Sequence, residues 1–463
     1  MQNIDLTHIS KIHFIGIGGS SMCGLASFML HAGKQVSGSD MTLNEATDEL
    51  ALAGANIRSP HDASNISTFS PDLVVYTVAV RGDNPELVQA AERGIPIIER
   101  AVFLGLIMKD FSKSIAVAGT HGKTTTTSMI SSILIENNLD PSVHIGGKLP
   151  LINSNTLIGS SDYFVTEACE YNDSFLNFNP YIAVILNVEH DHVDYFKTFE
   201  QFKASFKNFL ALVPAHGHIV VCGDDPNALE VASGAKCKVT TYGISSPDFD
   251  WSARDIDFDE NGCGNYTLLH CGTECGRISL GTVGIHNVRN SLASIATAVL
   301  CDLTPAACIL PLKNFTGANR RFEFKGYFNE VKVIDDYAHH PTEILTTLAA
   351  ARAATQAPAK IIITFQPHTY TRTRELFNEF AHAFGDADEV IMADIYAARE
   401  ADPGNVSIHS LVDEINKVSA NCVYKRDFEA IAAYVREIAN PHDLVITMGA
   451  GDICKVADLL LKQ

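Results

Sequence analysis

The run Gly119-Thr120-His121-Gly122-Lys123-Thr124-Thr125 holds the residue types that grip a nucleotide triphosphate. Backbone N–H groups of Gly119, Thr120, His121 and Gly122 are candidate phosphate donors, Lys123 a mobile cation, and Thr124 or Thr125 a hydroxyl for magnesium. The preceding "SIAVA" reads as a strand and the following "TTTSMI" as a helix, the order a phosphate cradle demands. The longer form of this loop has an earlier glycine, and here Val117 stands in its place. ATP is the ligand this pattern implies.

Two acidic clusters follow. "VTEACEYNDSF" ends one strand with Glu167 and Glu170, and "LNVEHDHVDYF" ends the next with His190, Asp191, His192 and Asp194. Magnesium takes oxygen ligands and keeps several waters, so one carboxylate with Thr124 and the phosphates suffices for a first ion. A carboxylate and a histidine on adjacent strand ends suit a second. The same pattern also fits a metallohydrolase; the phosphate loop beside it favours nucleotide-bound magnesium.

Near the N-terminus, "FIGIGGSSMCG" places Gly16 and Gly18 after a strand, with Asp40 about twenty residues further on and Ser21 at the third glycine position. Such a turn lets a diphosphate approach the backbone. A later loop, "YTVAVRGDNPE", offers Thr77, Asn84 and Glu86. Cys263, His270, Cys271 and Cys275 share one segment, but it alternates like a hairpin and lacks paired CxxC spacing, so no zinc site is expected.

The elements that position these residues are short β-branched runs alternating with helical stretches, the signature of parallel α/β sheets. Breaks before "KDFSKSIAVAGT" and near "NFTGANRRFEFKG" divide the 463 residues into segments 1–107, 108–318 and 319–463. Between Lys236 and Thr282 short polar-alternating strands predict a small antiparallel insertion. A net charge of −20 argues against a nucleic-acid partner. No apolar run reaches the length of a membrane span and no signal peptide is visible, so a cytoplasmic enzyme is expected. Eleven scattered cysteines read as reduced thiols.

The chain resembles the Mur ligases over nearly its whole length. "GTHGKTTT", "EACEYNDSF", "NVEHDHVDYF", "GIHNVRNSLA", "RRFEFKG", "DDYAHHPTEI", "FQPHTYTRT" and "GAGDI" occur in that family's order. The resemblance implies an N-terminal Rossmann-like domain for a UDP-sugar, a central P-loop ATPase with a parallel sheet, and a C-terminal Rossmann-like α/β domain that closes over the nucleotide. It is strongest to members that join L-alanine to UDP-N-acetylmuramate at the expense of ATP and Mg²⁺, as monomers or homodimers. By motif position, Lys123 contacts the ATP phosphates, Thr124 with Glu167 and His192 holds metal, and Glu170 is the second choice of carboxylate. Asn287 and Asn290 match adenine-side asparagines, Arg321 the arginine reaching the γ-phosphate, and Asp336 the acid at the ATP ribose. Tyr337, His339, His368 and Arg372 match the alanine and muramoyl carboxylate site, and Gly16, Gly18, Gly19, Asp40 and Thr77 the UDP-sugar site.

Three positions depart from the family pattern: Ser21 for glycine, Thr369 for arginine and Arg399 for glycine. The second removes a cation near a carboxylate site, which Arg372 or Arg374 is placed to replace. A member attaching a recycled tripeptide is the near alternative. A nicotinamide-dependent oxidoreductase is the distant one, and it would leave the phosphate loop without a task.

Overall fold

The computed structural model describes residues 4–193, 195–398 and 400–462, so Asp194 and Arg399 lie outside the described residues. The chain folds into two compact units. One comprises the chain up to Val188 with 203–221 and 225–240; the other comprises 189–202, 222–224 and the chain from Thr241 onward.

The first unit begins with five parallel strands: β1 (Lys11–Ile15), β2 (Gln35–Ser39), β3 (Asn56–Arg58), β4 (Leu73–Tyr76) and β5 (Ile97–Glu99), in the order β3-β2-β1-β4-β5. Ile12, Phe14, Val74 and Val75 are fully buried, as strands covered on both faces require. Strand order reverses at β1, which pairs with β2 on one side and β4 on the other. The Gly16–Gly19 turn therefore leaves the sheet at its switch point, where open α/β sheets bind ligands.

A second sheet of this unit contains β6 (Lys113–Ala118), β7 (Ser142–Leu149), β8 (Ser154–Leu157), β9 (Tyr163–Glu167), β10 (Ile182–Ile185) and β11 (His218–Cys222), ordered β8-β7-β9-β6-β10-β11. All neighbours are parallel except β7 and β8, an antiparallel hairpin that the sequence pattern does not announce because Gly146 and Gly147 interrupt its alternation. β6 lies between β9 and β10, so the phosphate loop also opens at a switch point. The helix Lys123–Glu136 that follows is buried along most of its length.

Along the chain β12 (Lys238–Gly243) begins in the first unit's last segment and is followed, in the second unit, by the antiparallel strands β13 (Trp251–Phe258), β14 (Cys263–His270) and β15 (Thr273–Val283), at the place expected for the insertion. Cys263 and His270 occupy opposite ends of β14, roughly 23 Å apart at strand rise, and His270 stacks on Trp251. That spacing rules out a shared zinc ion for them.

The last sheet holds β16 (Glu323–Phe328), β17 (Val331–Asp336), β18 (Ile361–Phe365), β19 (Glu389–Met392), β20 (Asn421–Tyr424) and β21 (Leu444–Met448), ordered β16-β17-β21-β18-β19-β20. Only β16 runs antiparallel to its neighbour. Ile361, Ile363 and Phe365 enter one core cluster and Ile362 the other, the period-two alternation of a strand buried on both faces. The α/β architecture of three successive sheets is the one the sequence predicts.

Candidate active site

The phosphate loop is shaped by two glycines with positive φ, Gly119 (146°) and Gly122 (83°). A Cβ on Gly119 would meet Leu186 at 3.0 Å and Asn187 N at 3.2 Å. Gly122 caps the helix Lys123–Glu136 without a side-chain hydrogen bond, leaving the first-turn N–H groups without an intrahelical partner.

Asn187, just beyond β10, fixes the loop. The Thr120 N–H donates to Asn187 O (3.3 Å) and the His121 N–H to Asn187 Oδ1 (2.8 Å). In return Asn187 Nδ2 donates to His121 O (3.1 Å). The expectation that Thr120 and His121 offer their N–H groups to phosphate is thus not met in this conformation: both are used to hold the loop's shape. The donors left without an intrahelical partner are those of the first helical turn, which carries Thr124 and Thr125.

The two candidate carboxylates separate. Glu167, last residue of β9, accepts from Thr124 Oγ1 (3.1 Å) and from the Gly146 N–H (2.7 Å). Glu170 instead accepts from Lys123 Nζ at 3.1 and 3.0 Å. Lys123 is mostly buried, its side chain 16% exposed; burial works against its charge, and the Glu170 carboxylate more than offsets this and raises its pKa. Thr124 and Glu167 therefore present hard oxygen donors side by side, a set that fits Mg²⁺.

At the first sheet, Gly16 has φ 81° and Gly19 begins the helix Ser20–His31. The Gly18 N–H donates to Asp40 Oδ2 (2.9 Å), and Asn44 Nδ2 donates to Gly18 O (3.0 Å). Asp40 thus holds the turn itself. A cavity of about 770 Å³ opens here, lined among others by Gly16, Asp40, His61, Thr77 and Arg100. Below it Glu86 is completely buried and accepts from Ser39 Oγ and from Asn65 Nδ2 (2.6 Å), with His61 Nδ1 3.3 Å away. Burial opposes the Glu86 charge, but the His13 imidazole 3.6 Å away and the hydrogen bonds from Ser39 and Asn65 prevail and hold its pKa down to about 2. Asn84 caps the helix that carries Glu86.

Ser21, the departure from glycine, has partners. Its Oγ lies 2.8 Å from His144 Nε2 and accepts from Arg100 Nη1 (3.1 Å). His144 sits on β7, two residues from Gly146. Burial lowers its pKa to about 3, with Arg100 adding to the shift, so it is neutral.

In the second unit, Asn290 Nδ2 donates to Asn287 Oδ1 (3.0 Å) and Asn287 Nδ2 to Val283 O (2.8 Å), a buried amide ladder at the start of the helix Ile285–Leu300. Neighbouring arginines differ. Arg320 is held by Asp335 (2.9 Å) and Gly449 O (2.6 Å), whereas Arg321 makes no ion pair among the described residues; both guanidinium groups lie 5.0 Å from the Tyr337 ring. Asp336 accepts from the N–H groups of Phe322 (2.8 Å) and Ala338 (2.7 Å), and burial raises its pKa to about 6.

His339 packs edge-on against both Tyr337 and His368; burial lowers its pKa to about 3. Arg372 reaches His368 Nδ1 (3.2 Å) and Asp191 Oδ1 (3.3 Å). Asp191 also accepts from the His192 N–H (2.7 Å); burial disfavours its charge, yet His192 and Arg372 hold its pKa well below the carboxylate range. Thr369, the second departure, accepts from the Arg372 N–H at 3.4 Å and so caps the helix Tyr370–Glu375. Arg374 turns away to Glu375, which leaves Arg372 as the cation of this cluster.

Asn187 is the residue the motifs did not single out, legible only as a polar residue at a strand end, whereas Asp191 stood among the named acids and histidines of "LNVEHDHVDYF" without its pairing to Arg372.

Residues 11–112 match the Mur ligase family, catalytic domain; 117–298 the Mur ligase middle domain; and 320–451 the Mur ligase, glutamate ligase domain. The UDP-N-acetylmuramate–L-alanine ligase of Acetivibrio thermocellus is 49% identical over 460 residues, 99% of this chain and 97% of its own. The protein of the same name from Caldanaerobacter subterraneus subsp. tengcongensis is 48% identical over 99% of both chains. The solved UDP-N-acetylmuramate-alanine ligase of Thermotoga maritima is similar with a TM-score of 0.82 at 28% identity, covering 98% of each chain.

Proposed function

The chain belongs to the Mur ligase family, and from that premise we propose that it joins L-alanine to the lactoyl carboxylate of UDP-N-acetylmuramate, forming ADP and phosphate, in peptidoglycan precursor synthesis. The observation that carries the reading is the 48–49% identity, over 99% of the chain, to two proteins of that name. It favours alanine over the recycled tripeptide. The same reading divides the chain near residues 107 and 318.

A carboxylate is a poor electrophile for an amine in water, and phosphorylation supplies the leaving group. The lactoyl carboxylate attacks the γ-phosphate of ATP, releasing ADP and leaving an acyl phosphate. The alanine amine attacks that carbonyl, and the tetrahedral intermediate expels phosphate. Phosphoryl transfer asks chiefly for positioning and charge neutralisation, the tasks of Lys123 and Arg321. Mg²⁺, when bound, is held by Thr124 and Glu167, with His192 as a further ligand, and neutralises phosphate charge. Asn187 keeps the loop in shape, and the Gly16–Gly19 turn with Asp40 and Thr77 receives the UDP moiety. Asn287, Asn290 and Asp336 serve the adenosine end of ATP.

Tyr337, His339, His368 and Arg372 orient the carboxylate and amine partners. The alanine ammonium must lose a proton before attack, and the candidate bases are His192, His339 and a neighbouring carboxylate; burial, which lowers the pKa of His339 to about 3, weakens it for this task. No helix of the described residues is long and apolar enough to cross a membrane, and a cytoplasmic site of action accords with the nucleotide substrates. The test is phosphate release with ATP, Mg²⁺, UDP-N-acetylmuramate and a panel of amino acids and the tripeptide. Release dependent on L-alanine supports the reading; release with the tripeptide alone replaces it.

A further inference from the structure

Glu170 has a role of its own in the phosphate loop. Its side chain is about 1% exposed, and both carboxylate oxygens accept from Lys123 Nζ. Lys123 also donates to Gly119 O and, at 3.0 Å, to Thr120 O. An ammonium has three protons, so these contacts exhaust it. The lysine is folded back onto its own loop, with nothing left to offer a phosphate.

A buried ammonium needs a counter-charge, and a buried carboxylate left alone is strongly destabilising. Glu170 and nucleotide phosphate therefore compete for the same cation. Glu167, three residues earlier, attracts Lys123 only at longer range, its hydrogen bonds being made with Thr124 and the Gly146 N–H. Resting on the reading that this loop binds ATP, we propose that Glu170 is a positioning residue that holds Lys123 back in the nucleotide-free enzyme and yields it to the incoming phosphates. The apparent affinity for nucleotide is then reduced by the fraction of enzyme in the held-back state.

The test is calorimetric binding of the non-hydrolysable analogue AMP-PNP, once with Mg²⁺ and once in excess EDTA, to wild type, Glu170→Gln, Glu170→Asp, Lys123→Ala and Lys123→Ala/Glu170→Gln. Glu170→Gln keeps the side-chain shape and removes the competing charge, so binding should tighten roughly tenfold in both conditions. The ligand-induced rise in melting temperature should grow with it, because the free variant keeps a buried lysine without its counter-charge. With Lys123 already removed, Glu170→Gln should change nothing relative to Lys123→Ala alone.

Loss of affinity confined to the Mg²⁺ experiment would make Glu170 a metal ligand and overturn the proposal. Unchanged or weaker binding in both conditions would overturn it in favour of a purely structural ion pair. Should Glu170→Gln not fold, Glu170→Asp decides: a shorter carboxylate cannot keep both contacts, and roughly threefold tightening is expected, with no gain counting against the proposal. Wild type that fails to bind AMP-PNP at all refutes the nucleotide site itself, a separate outcome.

Discussion

Two turns in the first unit are built alike and equipped differently. After β1 and after β6 the chain leaves a parallel sheet at its switch point, passes through glycines with positive φ and enters a helix. The first turn is held by an acid, Asp40, on the Gly18 N–H, and carries no cation within the loop. The second is held by a neutral amide, Asn187, and ends in Lys123. Backbone geometry supplies a place for phosphate in both. The side chains decide whether phosphate is merely seated or made to react, since a mobile ammonium beside paired oxygen donors is what stabilises a transferring phosphoryl group.

The strongest way to break this contrast is to remove the cation. Lys123→Ala should lower ATP-dependent amide formation by at least about 10³-fold while UDP-N-acetylmuramate binding to the first turn stays within about twofold of wild type. Coupled ADP release measures the first, calorimetric titration with UDP-N-acetylmuramate the second, and circular dichroism checks the fold. Near-normal turnover by a folded variant would refute the division of labour.

The metal-side carboxylate comes next. Glu167→Ala should raise the Mg²⁺ concentration for half-maximal activity by roughly 10- to 100-fold, and Glu170→Ala should shift it far less, because Glu170 faces Lys123. A magnesium titration of both variants tests the assignment; equal shifts would erase the distinction between the two acids.

A smaller effect is expected at the first turn. Asp40→Ala removes a charge-assisted bond to the Gly18 N–H, a contribution of about 1.5–3 kcal/mol. KM for UDP-N-acetylmuramate should rise about tenfold, with KM for ATP unchanged. A rise in both would mean that the two turns are not separately built.

Much of this was legible in the sequence, and the illegible part has a common cause. Glycines, Lys123 and Thr124 announce themselves because only those residue types suit such backbone angles and such chemistry at that spacing. Glu167 and Glu170 are equal in the sequence; only the end of β9 decides that one faces Thr124 and the other Lys123. Arg320 and Arg321 are adjacent and opposite in role for the same reason, since the positive φ of Arg320 (59°) turns it back onto Asp335. Asn187 is 66 residues from the His121 it pins, a pairing set by β10 lying beside β6. The hairpin β7–β8 escaped detection, and with it the partner of Ser21.

That hairpin joins the two turns, which gives the smallest effect and the sharpest test of their connection. From β7, Gly146 donates to Glu167 beside the phosphate loop while His144 meets Ser21, two residues from Gly19. His144 is held neutral by burial, its pKa depressed from 6.5 to about 3. A group whose folded pKa lies below its unfolded value stabilises the fold fully above the unfolded value. That stability drains away as pH falls from about 6.5 towards 3, with a limiting slope of about 1.4 kcal/mol per pH unit. His144→Gln keeps a polar side chain but cannot take up the proton. Urea midpoints measured from pH 7 to pH 5 should therefore fall less steeply in the variant than in wild type, by up to about 2 kcal/mol at pH 5. Parallel curves would mean that His144 titrates freely in the native protein and that the link between the two turns opens at no cost.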